Sequence, residues 1–297
     1  MAVQLINRYI WLVETVRRYG RISRQELNKC WERSALSEGR PLTRRTFYNY
    51  RQAVEEVFGI TISCDPVTYE YYIVDDDTNT SRVNDWLLDT RATAHMLEDA
   101  RDISDRIFLE EIPSARQHLP VIIEAIRGKN VLVMDYQSFT RSKPTTGIEL
   151  HPYLVKLFRQ RWYVAGYNVA DGKIKTYALD RVLRCNVSVE TFTEASDFDA
   201  ETYFKYSYGI VVPHSDVRNV VIRATVREAK YLRALPLHHT QSEMVADKDS
   251  IFTYRMRLTD DLVNELLAHT PELEVLEPPE LRAMMRDRLR RSLELYE

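Results

Sequence analysis

Arg161-Trp162-Tyr163-Val164-Ala165-Gly166-Tyr167 and Lys173-Ile174-Lys175-Thr176-Tyr177-Ala178-Leu179 flank the dipeptide Asp171-Gly172. Asp-Gly between two alternating runs predicts a β-hairpin, because tight hairpin turns need positive φ and these residues adopt it at least cost. In the first run Tyr163, Ala165 and Tyr167 share one face, and Trp162, Val164 and Gly166 the other. On the second, Lys175, Tyr177, Leu179 and Arg181 share a face. Upstream, Val131-Leu132-Val133-Met134 leads to Tyr136, and Ile148 and Leu150 alternate with polar neighbours. Downstream, Val187-Ser188-Val189 closes the set. Five short strands within 130–195 predict a small closed barrel.

The N-terminal side reads differently. Ile6, Ile10, Val13 and Val16 recur at helical spacing over 3–19, and Gly20 stops the run. Ser23 with Glu26 three positions on is a capping box opening a second helix through Arg33. Thr43 is a good N-cap for a third helix over 44–58, with Phe47, Tyr50, Val54 and Val57 inward and Gly59 at its end. Two β-rich runs, 60–64 and 69–74, follow, with Asp65-Pro66 as the turn. Three helices and a two-stranded ribbon are the layout of a winged helix-turn-helix. The acidic and polar run from Asp75 to Ser81 reads as a linker, and helical patterns resume over 82–106 and 115–127.

Beyond an aromatic connector (Tyr203, Phe204, Tyr206, Tyr208), strand and helix patterns alternate as β-α-β-α-β from Val217 to Leu276, and a helical tail starts at Pro279. This order suggests a ferredoxin-like α+β domain. The expectation is a multidomain α+β chain. Its segments are a winged helix-turn-helix (1–75), a linker with connecting helices (76–129), a five-stranded barrel (130–195), a connector (196–209) and a C-terminal α+β extension (210–297).

The chain has 297 residues, 44% hydrophobic and 29% charged, within the range of globular proteins. Its net charge of −3 hides an asymmetry: eleven Lys and Arg against six Asp and Glu over 1–60 give +5 there, leaving −8 for the remainder. A basic domain on an acidic chain suits a polyanionic partner for that domain alone. Three cysteines without metal or disulfide spacing fit a reducing compartment. The N-terminus lacks the pattern of a signal peptide, and no apolar run approaches the roughly 18 residues of a membrane span. A cytoplasmic protein without a membrane role is expected.

The third helix would show Arg45, Tyr48, Asn49 and Gln52 outward at its N-terminal end, with Arg44 and Arg51 on the flanks. A recognition helix needs these types, since Arg pairs bidentately with guanine and Asn or Gln with adenine. Thr43, Thr46 and the helix-start N–H groups suit phosphates. The bland alternative is a solvated amphipathic helix. In the predicted barrel, His151-Pro152-Tyr153, Arg159 to Tyr163 and Leu179-Asp180-Arg181 bring cations and aromatics together, as an anion site would. There the alternative is that Trp162 and half the tyrosines are core and that Arg181 pairs with Asp180 or another carboxylate.

Tyr136, His151-Pro152-Tyr153, Arg161-Trp162-Tyr163-Val164 and Leu179-Asp180-Arg181-Val182, in that order and spacing, resemble the WYL domain. Val164 stands where the family has Leu. With the N-terminal helices and a C-terminal extension of the WCX type, the layout is that of WYL transcription factors. The resemblance implies an Sm-like five-stranded barrel that senses a ligand, in some relatives a single-stranded nucleic acid, and a homodimer to which the extension contributes. Ligand contacts implied by position are Tyr136, Ser138, His151, Tyr153, Arg161, Tyr163 and Arg181; Arg159 and Lys175 join them from the face argument. The basic tail (Arg282, Arg286, Arg288, Arg290, Arg291) either lines that shared site or is a solvated face.

Catalysis finds little support. Asp75-Asp76-Asp77 cannot all face one ion, His238-His239 lacks a ligand-spaced third residue, and there is no Gly-rich phosphate loop or nucleophile motif. Neither an enzyme nor a cofactor is expected. The expected function is a ligand-responsive, homodimeric repressor that binds an operator in double-stranded DNA and senses an anionic effector, a nucleotide or a single-stranded nucleic acid. The alternative is an RNA- or single-strand-binding module without promoter function.

Overall fold

A computed structural model describes residues 2–74, 79–99, 101–108, 115–245 and 249–297, which fall into two units, Met1–Glu110 and Glu111–Glu297. Most of the expected linker, Asp75 to Thr78, lies outside the described residues.

The first unit begins with α1 (Ala2–Tyr19), a short strand β1 (Ile22–Ser23) and α2 (Arg24–Glu32). The capping box forms as expected, with the Glu26 amide donating to Ser23 Oγ at 3.3 Å and the Ser23 amide to Glu26 Oε2 at 3.2 Å. After a 3-10 turn (Ala35–Ser37), Trp31 Nε1 donates to the Arg40 carbonyl at 2.8 Å and the Leu42 amide to Asn28 Oδ1 at 2.8 Å, which fixes the approach to α3 (Arg44–Phe58). Strands β2 (Ile62–Cys64) and β3 (Glu70–Ile73) follow. β3 pairs antiparallel with both β2 and β1, so the expected ribbon is a three-stranded sheet. Leu12, Val13, Val16, Ile22, Leu27, Phe47, Val54 and Ile62 form its core.

One core position differs from the reading of the sequence. Val57 is 52% exposed and Phe58 is buried. Both lie near the edge of the apolar stripe, and the larger ring takes the inward place. Helix α4 (Asn79–Asp99) also belongs to this unit. Leu88 and Ala92 enter its core, and Arg17 of α1 pairs with Asp85 and Asp89 at 2.5 and 3.1 Å. Val83, Trp86 and Leu87, which carried the helical pattern, are exposed.

The second unit holds two sheets. After α5 (Leu119–Gly128) come β4 (Asn130–Tyr136), β5 (Thr145–Phe158), β6 (Arg161–Asn168) and β7 (Lys173–Ala178). A 3-10 turn (Leu179–Arg181) leads into β8 (Val182–Thr191). The antiparallel order is β7-β6-β5-β4-β8. β5 is long enough to serve two partners: its first half pairs with β4 (Leu150 opposite Leu132) and its second half with β6 (Phe158 opposite Arg161). Among the described residues no ladder joins β7 to β8, so hydrogen bonding does not close the expected ring. The chain itself links these edges, since only the Leu179–Arg181 turn separates them. Leu132, Met134, Leu150, Val164, Tyr177, Leu179 and Val182 pack with Ile122 and Ala125 of α5.

A connector with a short helix α6 (Ala200–Tyr203) leads to β9 (Arg218–Thr225), α7 (Val226–Ala234), β10 (Ser242–Val245), β11 (Asp249–Met256), α8 (Asp260–Ala268), β12 (Leu273–Glu277) and α9 (Pro279–Leu293). The sheet order is β10-β11-β9-β12, all antiparallel. β10 completes a β-α-β-β-α-β order. Sequence reasoning missed this strand because it is a four-residue edge, with Met244 and Val245 exposed and no alternation long enough to register.

Candidate nucleic-acid interface and ligand residues

Helix α3 presents the first candidate surface. Its N-cap is Thr43, whose Oγ1 accepts from the Thr46 amide at 3.1 Å and lies 2.8 Å from Thr46 Oγ1. Both hydroxyls thus serve the cap, while the first N–H groups of the helix stay free of intrahelical partners. Arg44, Arg45, Tyr48, Asn49 and Gln52 are exposed, and Thr46 and Arg51 half-buried. Gln52 Nε2 donates to Glu56 Oε1 at 2.9 Å. Among the described residues no carboxylate forms an ion pair with Arg44, Arg45 or Arg51. A cluster of cations without carboxylate partners suits a phosphate backbone.

Tyr48 organises two of them. The Arg44 and Arg51 guanidinium carbons lie 5.7 and 5.8 Å from its ring centre, within cation–π range. Its hydroxyl meets Tyr71 Oη of β3 at 3.3 Å. The hydrogen bond with Tyr71 and the Arg44 guanidinium pull the Tyr48 phenol below its ordinary range, whereas burial pushes Tyr71 up. The turn between β2 and β3 is held by Asp65, which accepts from Arg21 at 2.8 Å and from the Val67 amide at 2.9 Å. That leaves Val67 and Tyr69 exposed at its tip.

The nine residues expected to bind a ligand do not form one site. Tyr136, Ser138 and Lys175 line a 440 Å³ cleft between the 137–147 segment and the β6–β7 hairpin. His151 and Tyr153 belong to an aromatic cluster: His151 stacks on Phe192 at 4.7 Å, and Tyr153 packs on Phe192 and Phe198 at 5.8 and 4.5 Å. Burial lowers the His151 pKa and raises that of Tyr153. Arg159 sits at positive φ in the β5–β6 turn, pairs with Glu265 of α8 and donates to Tyr208 Oη at 3.3 Å. Arg161, and Asp180 and Arg181 of the 3-10 turn after β7, lie within electrostatic reach of the buried Tyr163.

Asp180 pairs with Arg161, not with its neighbour Arg181. Arg181 instead lies over the Phe139 ring, 3.7 Å from its centre. Three buried atoms here, Arg161 Nε, Asp180 Oδ1 and Arg181 Nε, have no hydrogen-bond partner among the described residues. Such orphans carry a desolvation penalty that a bound polar group would relieve. The expected common face of Lys175, Tyr177, Leu179 and Arg181 holds only partly. Tyr177 and Leu179 are core, and strand parity ends at Ala178, where the 3-10 turn begins.

Sequence reasoning missed Phe139, Arg141 and Lys156. The first two lie on a segment without periodicity. Lys156 stands on β5 among apolar neighbours and donates to the Gly209 carbonyl at 2.5 Å, 3.9 Å from the Phe204 ring centre. Burial lowers its pKa to about 8.

Residues 117–187 match the WYL domain and residues 216–293 the WCX domain. No curated protein matches the sequence. Among solved structures, proteasome accessory factor B/C (PafBC) of Arthrobacter aurescens is similar at 20% identity and a TM-score of 0.33, over 97% of this chain and 46% of that one. A CRISPR Cas-related protein is similar at 12% identity and a TM-score of 0.39, over 60% of this chain and 50% of that one. The chain spans about half the length of these two structures. Among the described residues no helix is long and apolar enough to cross a membrane. The chain thus carries a WYL domain followed by a WCX domain.

Proposed function

We propose that the protein is a ligand-responsive, DNA-binding transcriptional regulator, a homodimeric repressor whose WYL domain senses an anionic effector. The carrying observation is the exposed start of α3, where Arg44, Arg45 and Arg51 stand without carboxylate partners among the described residues, beside Asn49. In this reading the first unit is a winged helix-turn-helix, with α3 in the major groove and the Asp65–Tyr69 turn as the wing. The WYL sheet is an Sm-like barrel, an assignment supported by five antiparallel strands whose edges one short turn connects. The WCX domain is ferredoxin-like, supported by its β-α-β-β-α-β order. Two copies related by a twofold axis would read a pseudo-palindromic operator. The free cysteines Cys30, Cys64 and Cys185 agree with work in the cytoplasm.

The test is a gel shift on the duplex upstream of the protein's own coding region, with duplex and single-stranded competitors. Arg45→Ala is expected to cost about 1–3 kcal/mol and to relax base preference, with Asn49→Ala acting likewise at a different base. Operator binding unchanged in both variants would remove α3 from the interface. Competition by single strands above duplex would favour an RNA- or single-strand-binding module.

Tyr48 gives a second readout. Tyr48→Ala frees two guanidiniums and is expected to flatten the salt dependence by up to two phosphate contacts, each about 0.9 in the log–log slope, while Tyr48→Phe keeps the ring and the slope. Equal slopes in the two variants would show that the ring does not position the cations.

A further inference from the structure

The cleft beside the β6–β7 hairpin shares no residue with the Arg161–Asp180–Arg181 cluster. Internal hydrogen bonds tie each of its walls together. On the hairpin side, buried Asn168 donates to Tyr177 Oη at 2.7 Å and accepts from the Asp171 amide at 2.8 Å, and Lys175 pairs with Asp171 at 2.6 Å. On the facing side, Ser138 Oγ lies 2.8 Å from Thr140 Oγ1, and the Gly147 amide donates to Asp135 at 2.9 Å. The Tyr136 ring packs edge-on against Tyr177, 5.0 Å between centres, and lines the cleft between these walls.

The charges in the cleft are unevenly engaged. Among the described residues the Arg141 guanidinium hydrogen-bonds the Thr145 hydroxyl, at 3.0 Å, and forms no ion pair at contact distance, although its charge helps to hold the Asp171 carboxyl low. Lys175 already neutralises Asp171. Glu149 and Asp171 are carboxylate acceptors on the same rim. Arg141 thus offers planar donors to one anionic group, Lys175 a second cation, the carboxylates acceptors for neighbouring hydroxyls, and Tyr136 an apolar face for a ring. A volume of 440 Å³ lies in the range of small-ligand pockets, roughly 300–1,000 Å³.

We propose that this cleft binds a single nucleoside monophosphate, its phosphate on Arg141 and Lys175, its ribose hydroxyls toward Glu149 and Asp171, and its base against Tyr136. This deepens the effector-sensing reading, on which its regulatory meaning rests, and it assigns the free ligand to residues other than Arg161 and Arg181. The volume favours one nucleotide over a strand.

The full chain is titrated calorimetrically with AMP, GMP, CMP and UMP separately, with inorganic phosphate, and with a short oligothymidylate. At least one monophosphate is expected to bind, and more tightly than inorganic phosphate. Arg141→Ala, on an exposed segment where folding is not at stake, is expected to weaken it about tenfold or more, as loss of a charged hydrogen bond does. Lys175→Ala is expected to weaken it too, and Arg181→Ala to weaken it less than Arg141→Ala does. Four results would overturn the proposal: no monophosphate binds; inorganic phosphate binds as tightly; the oligothymidylate displaces the nucleotide at lower concentration; or Arg181→Ala abolishes binding that Arg141→Ala retains. Duplex binding, measured in parallel with and without nucleotide, tests the regulator separately. Its absence beside nucleotide binding supports the cleft and overturns the regulator.

Discussion

Phe47→Ala is expected to lower the stability of the first unit by about 3–5 kcal/mol, the range for truncating a buried ring. Phe47 has no exposed surface and meets the Tyr71 and Tyr48 rings edge-on at 4.7 and 5.5 Å. The Arg24 guanidinium carbon lies 5.9 Å from its centre. Its loss removes the anchor between α3 and β3 and leaves a cavity the fixed neighbours cannot close. Domains are stable by only about 5–15 kcal/mol, so much of the unit's margin goes with it, and duplex binding with that. Val57→Ala is the control. That side chain is 52% exposed, and its truncation is expected to change stability by no more than about 0.5 kcal/mol. Thermal melts of the two variants should separate clearly; coincident melts would mean that the inward face of α3 is misassigned.

Gly166→Ala is expected to cost about 3 kcal/mol, the upper end for overpacking, although it adds one carbon. Gly166 lies on β6 opposite Pro152, next to the register shift between Pro152 and Leu154. A Cβ there would overlap the His151 carbonyl oxygen and stand 2.9 Å from Pro152 Cα. Both are backbone atoms in a ladder, so neither yields as a side-chain tip would. For a unit of this size the expected drop in melting temperature is about 6–12 °C. The same shift would move the His151 ring off Phe192, which a near-ultraviolet dichroism change would report. A variant that melts with the parent would show that β5 and β6 do not approach so closely.

These two residues illustrate how unequally the fold was legible. Phe47 announced itself, because a 3.6-residue stripe, an N-cap threonine and a terminal glycine all point to one helix. Gly166 did not, since its need arises from Pro152, a strand partner that only pairing reveals. Strands β4 to β8 and the C-terminal alternation were readable for the same local reason as α3, whereas β10 was too short and polar to stand out. The site was harder. Residue types on α3 followed from helical geometry. The pairing of Arg161 with Asp180, 19 positions apart, depends on how the sheet curls, and sequence neighbours pointed to Arg181 instead. Of the nine ligand candidates, seven rest on position in the resemblance to the WYL domain and two on strand faces, and neither carries information on which side of a sheet a turn residue leaves. The cleft's Arg141 lies on a segment without periodicity, and its significance comes from what does not pair with it.

The segment from Phe192 to Ile210 has a consequence for modularity. Phe192 and Phe198 pack on Tyr153, while Lys156 holds the Gly209 carbonyl. On the other side Asp261 of α8 accepts from the Ile210 amide at 2.9 Å and crowds Gly209, whose φ of +83° suits glycine alone. The Arg257 amide donates to the Tyr206 carbonyl at 2.6 Å. The stretch that reads as a tether is therefore shared property of both domains, and the WYL–WCX boundary offers no clean seam. A chimera that takes its C-terminal domain from another chain would have to import the partners of Lys156, Arg159 and Asp261 together, or else redesign them as one joint.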